Sequence, residues 1–155
     1  MGLKRKLELH SYQTAWAMLA RLRSVVVNPD RTKLSGVVEV DETFYGGHTP
    51  GQRGGRQHGA KLPIIVAVER TATGLGRCRM VAGDRLNRVT LRAFLLEHIE
   101  PGSTVVTDGY QAYRRAVVTP FIHQRHVAPG AQAVVDLPGV HRLASLFKRW
   151  MLGTH

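Results

Sequence analysis

"GVVEVDETFYGGHTP", residues 36–50, decides how the rest of the chain is read. Its first half alternates and is rich in β-branched residues, so residues 36–44 predict a strand. Three carboxylates, Glu39, Asp41 and Glu42, fall within it, although acids are depleted in strands and costly to bury. A side-chain period of two puts Glu39 and Asp41 on one face and Val38, Val40 and Glu42 on the other. If the strand is central, at least one acid is half-buried and must be paired, neutralised or bound to a cation.

Downstream, residues 46–61 carry six glycines and read as a loop, with Arg53, Arg56 and Lys61 beside His48 and His58. A flexible cationic backbone of this kind can follow a phosphate chain without reading bases. It can equally be only a loop, and it lacks the spacing of a nucleotide-binding P-loop. Its place directly after the acidic strand makes these three cations the expected DNA contacts. "LPIIVAVERT" (62–71) is a near-continuous apolar run, the pattern of a strand covered on both faces. "ATGLG" turns the chain, and "RCRMVAG" (77–83) alternates as a third strand.

A helix is expected after the cap Asn87, with Leu91, Phe94, Leu95 and Ile99 on one face and a stop at Pro101. "TVVTDGY" predicts a short strand ending at Asp108, "YQAYRRAVV" a helix, "HQRHVAPG" a weaker strand and "HRLASLFKRWMLGTH" a last helix. Upstream, residues 11–27 open on the cap Ser11 and repeat Tyr12, Ala15, Trp16, Leu19 and Leu22 at helical spacing. The expected fold class is α/β, a mixed sheet flanked by helices. Its third and fourth strands run parallel if they share that sheet.

Composition narrows the partners. Lys and Arg total 22 against 11 acids, a formal charge of +11, which favours a polyanion such as nucleic acid over an anionic membrane. No apolar run approaches the roughly 20 residues of a membrane span, and the opening residues lack a secretory apolar core. The single Cys78 excludes an internal disulfide and a CxxC zinc ribbon, so a reducing, cytoplasmic setting is expected.

Asp108 is the second acid of interest. It ends an apolar strand and precedes Gly109 and a helix start, where open α/β sheets carry ligands. Taken singly, Asp41 or Glu42 could pair with a surface arginine, and Asp108 could cap the following helix. Taken together, two strands ending in acids within a cationic chain could converge on divalent metal. Two Mg²⁺ or Mn²⁺ ions about 4 Å apart would activate a nucleophilic oxygen and steady the leaving oxygen of a phosphodiester.

"SYQTAWAMLARLR", "LSGVVEVDETFYGG", "STVVTDGYQAY" and "LPGVHRLASLFKRWMLGTH" together resemble the DDE-type transposases of bacterial insertion sequences. The resemblance runs from about residue 9 to the last residue. It implies an RNase-H-like mixed five-stranded sheet, with residues 1–35 as an N-terminal linker helix and 36–155 as the catalytic domain. It also implies metal-dependent strand cleavage followed by strand transfer, with Asp41 as first acid and Asp108 as second. The third acid position is occupied by His141, seven residues before Lys148. Imidazole binds Mg²⁺ poorly and suits Mn²⁺ better, so His141 is a ligand or general base of a variant site, a sign of a weakened one, or merely the opening of a helix.

Lys148 resembles the basic residue that grips DNA beside the cleaved bond, with Arg149 next to it; "KRW" could equally be a solvated helix face. Glu42 is kept as a group behind the metal ligands. DNA, as transposon ends and target, is the implied partner, and the active form is expected to be a homo-oligomer. Relatives commonly add a zinc ribbon before this region and a further segment after it, so the chain is expected to be truncated at both ends. The rival expectation is a remnant that binds DNA only through its charge. A metal-dependent nuclease outside transposition is a third.

Overall fold

Strand β1 (Val37–Tyr45) lies in the middle of a five-stranded sheet ordered β3-β2-β1-β4-β5. The computed structural model describes residues 4–5, 7–26, 31–46, 61–83, 85–126 and 137–151. The chain divides into two compact units, Met1–Thr32 and Lys33–Thr154. In the first, helix α1 (Tyr12–Val26) begins where Ser11 Oγ accepts the Thr14 amide at 3.4 Å. Its apolar stripe is only partly covered: Ala15 is buried, while Tyr12 and Trp16 are 59% and 62% exposed.

The second unit holds the sheet. β1 pairs antiparallel with β2 (Leu62–Thr71), and β2 pairs antiparallel with β3 (Gly74–Ala82). On its other side β1 pairs parallel with β4 (Thr104–Thr107), which pairs parallel with β5 (Ile122–Arg125). The third and fourth strands therefore run in the same direction, as the crossover between them requires. Helix α2 (Arg88–His98) makes that crossover, α3 (Gln111–Ala116) joins β4 to β5, and α4 (Pro138–Met151) follows β5. The mixed α/β sheet and its order of elements are those the sequence predicts.

Both faces of the sheet are covered, which is why β2 can be apolar along most of its length. On one face Val38, Val40, Ile65, Ala67 and Val105 pack with Leu91, Phe94, Leu95 and Ile99, the expected stripe of α2. Tyr113 and Ala116 of α3 complete that core. On the other face Ile64, Val66 and Val68 meet Val140, with Leu143 and Phe147 of α4 packed against them. Placing an acid-bearing strand between two covered faces forces each of its carboxylates to find a partner.

Element ends differ from expectation by a few residues, each for a local reason. β3 starts at Gly74, three residues early, because Thr71 pairs with Gly74 across a tight turn. α4 starts at Pro138, since proline fits the first helical turn, so His141 lies within that turn instead of opening the helix. α3 is shorter than the apolar pattern suggests and ends at Ala116, while β5 begins one residue early at Ile122.

Candidate active site

The parallel register of β1 and β4 creates the site. Its last pair is Glu39 with Val106. Two residues further along each strand's direction stand Asp41, in the middle of β1 just past its last pair with β4, and Asp108, directly after the carboxyl end of β4. Neighbouring strands lie about 4.8 Å apart, so acids separated by 67 positions in the chain (108 − 41) come to one place. Both line a single pocket of about 610 Å³.

Helix α4 supplies the facing wall. His141, Ala144, Ser145 and Lys148 line the same pocket, because positions three, four and seven apart share one helix face. Lys61, at the entry to β2, and Glu42 also line it. The structure thus brings together Asp41, Asp108, His141, Lys61 and Lys148. Arg149 is exposed and is not among the pocket residues. Arg53 and Arg56 lie outside the described residues, as do His48 and His58.

Local bonds hold the acids in place. Asp41 Oδ1 accepts the Glu42 amide at 2.8 Å, and Asp108 Oδ1 accepts the Tyr110 amide at 2.9 Å. The latter is a side-chain turn onto residue 110; the N-cap of α3 is Tyr110, which makes no side-chain cap bond. Behind Asp108, the Thr107 hydroxyl donates to the Asp108 carbonyl at 3.1 Å and lies 2.8 Å from His123 Nε2. With its one proton so used, the hydroxyl acts toward His123 as an acceptor, which requires the tautomer with hydrogen on Nε2.

On the opposite face of β1, Glu42 Oε2 accepts the Tyr113 hydroxyl at 2.9 Å. Burial of Tyr113 pushes its phenol well above the ordinary range, and the charges of Glu42, Asp41 and Asp108 push it further. The phenol therefore stays protonated and keeps donating. Sequence reading offered Glu42 a surface arginine or a place behind the metal ligands, and did not single out Tyr113, which is 71 positions away.

Asp41 and Asp108 offer hard oxygen donors to one pocket, which suits Mg²⁺ or Mn²⁺. Among the described residues no group of three His, Cys, Asp or Glu side chains is gathered to hold an ion. That donor set fits a cation of the Mg²⁺ type, which takes one or two carboxylates and fills its shell with water and phosphate oxygens.

Sequence reading assigned Glu39 no function. It is fully buried, and its Oε1 forms an ion pair with Arg70 Nε at 2.5 Å. Its Oε2 accepts the Val140 amide of α4 at 3.0 Å. An acid inside an apolar strand signals such a partner, but nothing in the chain order says which helix brings it.

Residues 33–155 match the family described as ISXO2-like transposase domain. No curated protein matches the chain. Among solved structures, a simian T-cell lymphotropic virus intasome in complex with PP2A regulatory subunit B56 gamma is similar at TM-score 0.42 and 15% identity. That match covers 93% of this chain and 59% of the other. The Mos1 strand transfer complex is similar at TM-score 0.42 and 16% identity, over 92% of this chain and 57% of the other. The chain thus spans less than two thirds of the length of either.

Proposed function

Since this chain belongs to the ISXO2-like transposase domain family, we propose that it is the catalytic domain of an insertion-sequence transposase, with Asp41 and Asp108 at its reacting centre. One observation carries the reading: both aspartates, His141, Lys61 and Lys148 line one pocket where the parallel pairing of β1 and β4 ends.

DDE-type transposases as a class use divalent metal ions, and here Asp41 and Asp108 would hold Mg²⁺ or Mn²⁺. Bound there, such ions supply Lewis acidity to a phosphodiester and to the water that attacks it. The residues of the chain do the rest. Lys61 and Lys148 offer ammonium groups to phosphate oxygens and hold the DNA backbone against the acids. His141 faces the same space, where it serves as a further ligand, favouring Mn²⁺, or takes the proton released by water. Glu42, held by the Tyr113 hydroxyl, adds negative charge beside Asp41 and steadies a cation there. Hydrolysis breaks the bond from phosphorus to the 3′ oxygen at the element's end. The freed 3′-hydroxyl then attacks a phosphodiester of the target, joining its oxygen to that phosphorus as the target's own 3′ oxygen leaves and takes up a proton. Arg53, Arg56 and Arg149 extend the DNA contact, and the formal charge of +11 supports a polyanionic partner. Two copies of the chain holding two ends would make the active form a homo-oligomer.

The test is cleavage of a labelled end substrate in Mg²⁺ and in Mn²⁺. Asp41→Asn and Asp108→Asn should each lower cleavage by about a hundredfold or more, the scale of removing one electrostatic partner of a reacting centre. Cleavage unchanged in both variants overturns the mechanism. A second reading, a chain that only binds DNA through its charge, is favoured by one fact. Among the described residues no three ligand-type side chains are gathered for an ion. It predicts steeply salt-dependent binding with no metal-dependent cleavage.

A further inference from the structure

We infer that Glu39 is a positioning residue: its buried carboxylate latches the first turn of α4 to β1 and so sets where His141 and Lys148 stand relative to Asp41 and Asp108. The inference rests on the pocket being the reaction site, as proposed above.

Four observations meet at this carboxylate. Glu39 is fully buried in the central strand, two residues before Asp41 and on the same face. A carboxylate there is costly, and an apolar residue would fit the strand better, so its bonds must offset the burial. Oε2 accepts the buried Val140 amide at 3.0 Å, one of the amides that the start of a helix leaves without an intrahelical partner. The positive end of the helix dipole favours an anion at that point. Oε1 is held by Arg70 from β2, so the acceptor cannot swing away.

Gly139 is the counterpart on the helix. A Cβ added there would lie 3.0 Å from Glu39 Oε2 and 2.7 Å from Leu75 Cδ2. The exposed Leu75 tip can turn aside, but Glu39 Oε2, held by Arg70, would have to give by a few tenths of an ångström. The residue after Val140 is His141, and Ser145 and Lys148 follow on the same face. The helix is rigid over this length, so a shift of its first turn moves the whole pocket wall. One side of β1 thus carries both the reacting aspartate and the group that gauges the facing wall.

The two partnerships of Glu39 can be separated. Glu39→Met is close in shape but offers the Val140 amide no carboxylate acceptor, whereas Glu39→Gln keeps an acceptor oxygen. Gly139→Ala keeps both side chains of the ion pair and crowds the Glu39 Oε2 contact with a new Cβ. Arg70→Met removes the ion pair and leaves the Val140 amide its carboxylate acceptor. Amide hydrogen exchange across the full chain reads the docking, and cleavage kinetics read its consequence.

In Glu39→Met and Gly139→Ala, exchange at 140–148 should rise about tenfold or more while β2 and α2 stay within about twofold, the scale of a lost buried hydrogen bond acting locally. In the same two variants kcat should fall about tenfold or more, and by more than DNA affinity does, as for a misplaced reacting group. Glu39→Gln should recover both. Arg70→Met should leave exchange of α4 nearer wild type than Glu39→Met does.

Unchanged exchange at 140–148 in Glu39→Met and Gly139→Ala overturns the latch. So does a rise spread evenly over β1, β2 and α4, because a merely stabilising ion pair behaves that way. If Glu39→Met does not fold, Gly139→Ala alone decides the matter. If Asp41→Asn still cleaves, the reaction assignment fails, while the exchange arm still reports on the latch.

Discussion

Glu39, Asp41 and Glu42 lie within four consecutive positions of one strand and meet three different environments. Glu39 is sealed beneath α4, Asp41 opens to the pocket, and Glu42 turns to the other face toward Tyr113. Alternation explains the split between Asp41 and Glu42, and the length of the helix wall explains the split between Glu39 and Asp41. Tyr113→Phe should therefore cost about 1.5–3 kcal/mol, the range for a hydrogen bond to a charged group. Chemical denaturation checks the stability. A normal m-value beside a lowered midpoint would place the loss in the folded state. Metal-dependent cleavage should fall as well, because Glu42 loses the donor that orients it.

The elements were largely legible in the sequence, for reasons that differ between them. β2 declared itself by an unbroken apolar run and α2 by its stripe and by Asn87. That cap is complete: Asn87 Oδ1 accepts the Val89 and Thr90 amides at 2.8 and 3.0 Å, and Thr90 Oγ1 accepts the Asn87 amide at 3.1 Å. Asn87→Ala should lower stability by about 1 kcal/mol, measurable as a drop in Tm with no change in sheet content. Asp41 and Asp108 were singled out because the sequence reading took each to end a strand and because the family motifs mark them; β1 in fact runs four residues past Asp41, to Tyr45.

What the sequence withheld is contact across the chain. Glu39 with Val140 spans 101 positions and Tyr113 with Glu42 spans 71, and neither follows from local periodicity. The start of α4 was missed because "LPG" reads as a turn, although proline and glycine here open a helix that must approach a carboxylate. Pocket membership of Lys61 was also hidden, since a loop cation declares no direction.

For the whole sheet, Glu69 ties three stretches together. It accepts the Ser35 amide before β1 and the backbone and guanidinium of Arg77 on β3. Hydrogen bonding from Arg77 holds its carboxyl down at about 2, against an ordinary value of 4.5. Folding therefore gains stability from this group above about pH 4.5 and loses it as pH falls toward 2. Glu69→Gln should flatten that part of the acid-unfolding curve. Wild type should converge toward the variant near pH 2, and a parallel offset at every pH would refute the assignment. Among the described residues no helix is long and apolar enough to cross a membrane.

The pocket draws its floor from residue 41 and its far wall from residue 148. Ribosomal synthesis delivers these in that order, and domains fold from the amino end as they emerge. A nascent polypeptide can thus expose both aspartates while the lysine and imidazole of the opposite wall are still untranslated. The pocket as a shape is therefore complete only once α4 has been made.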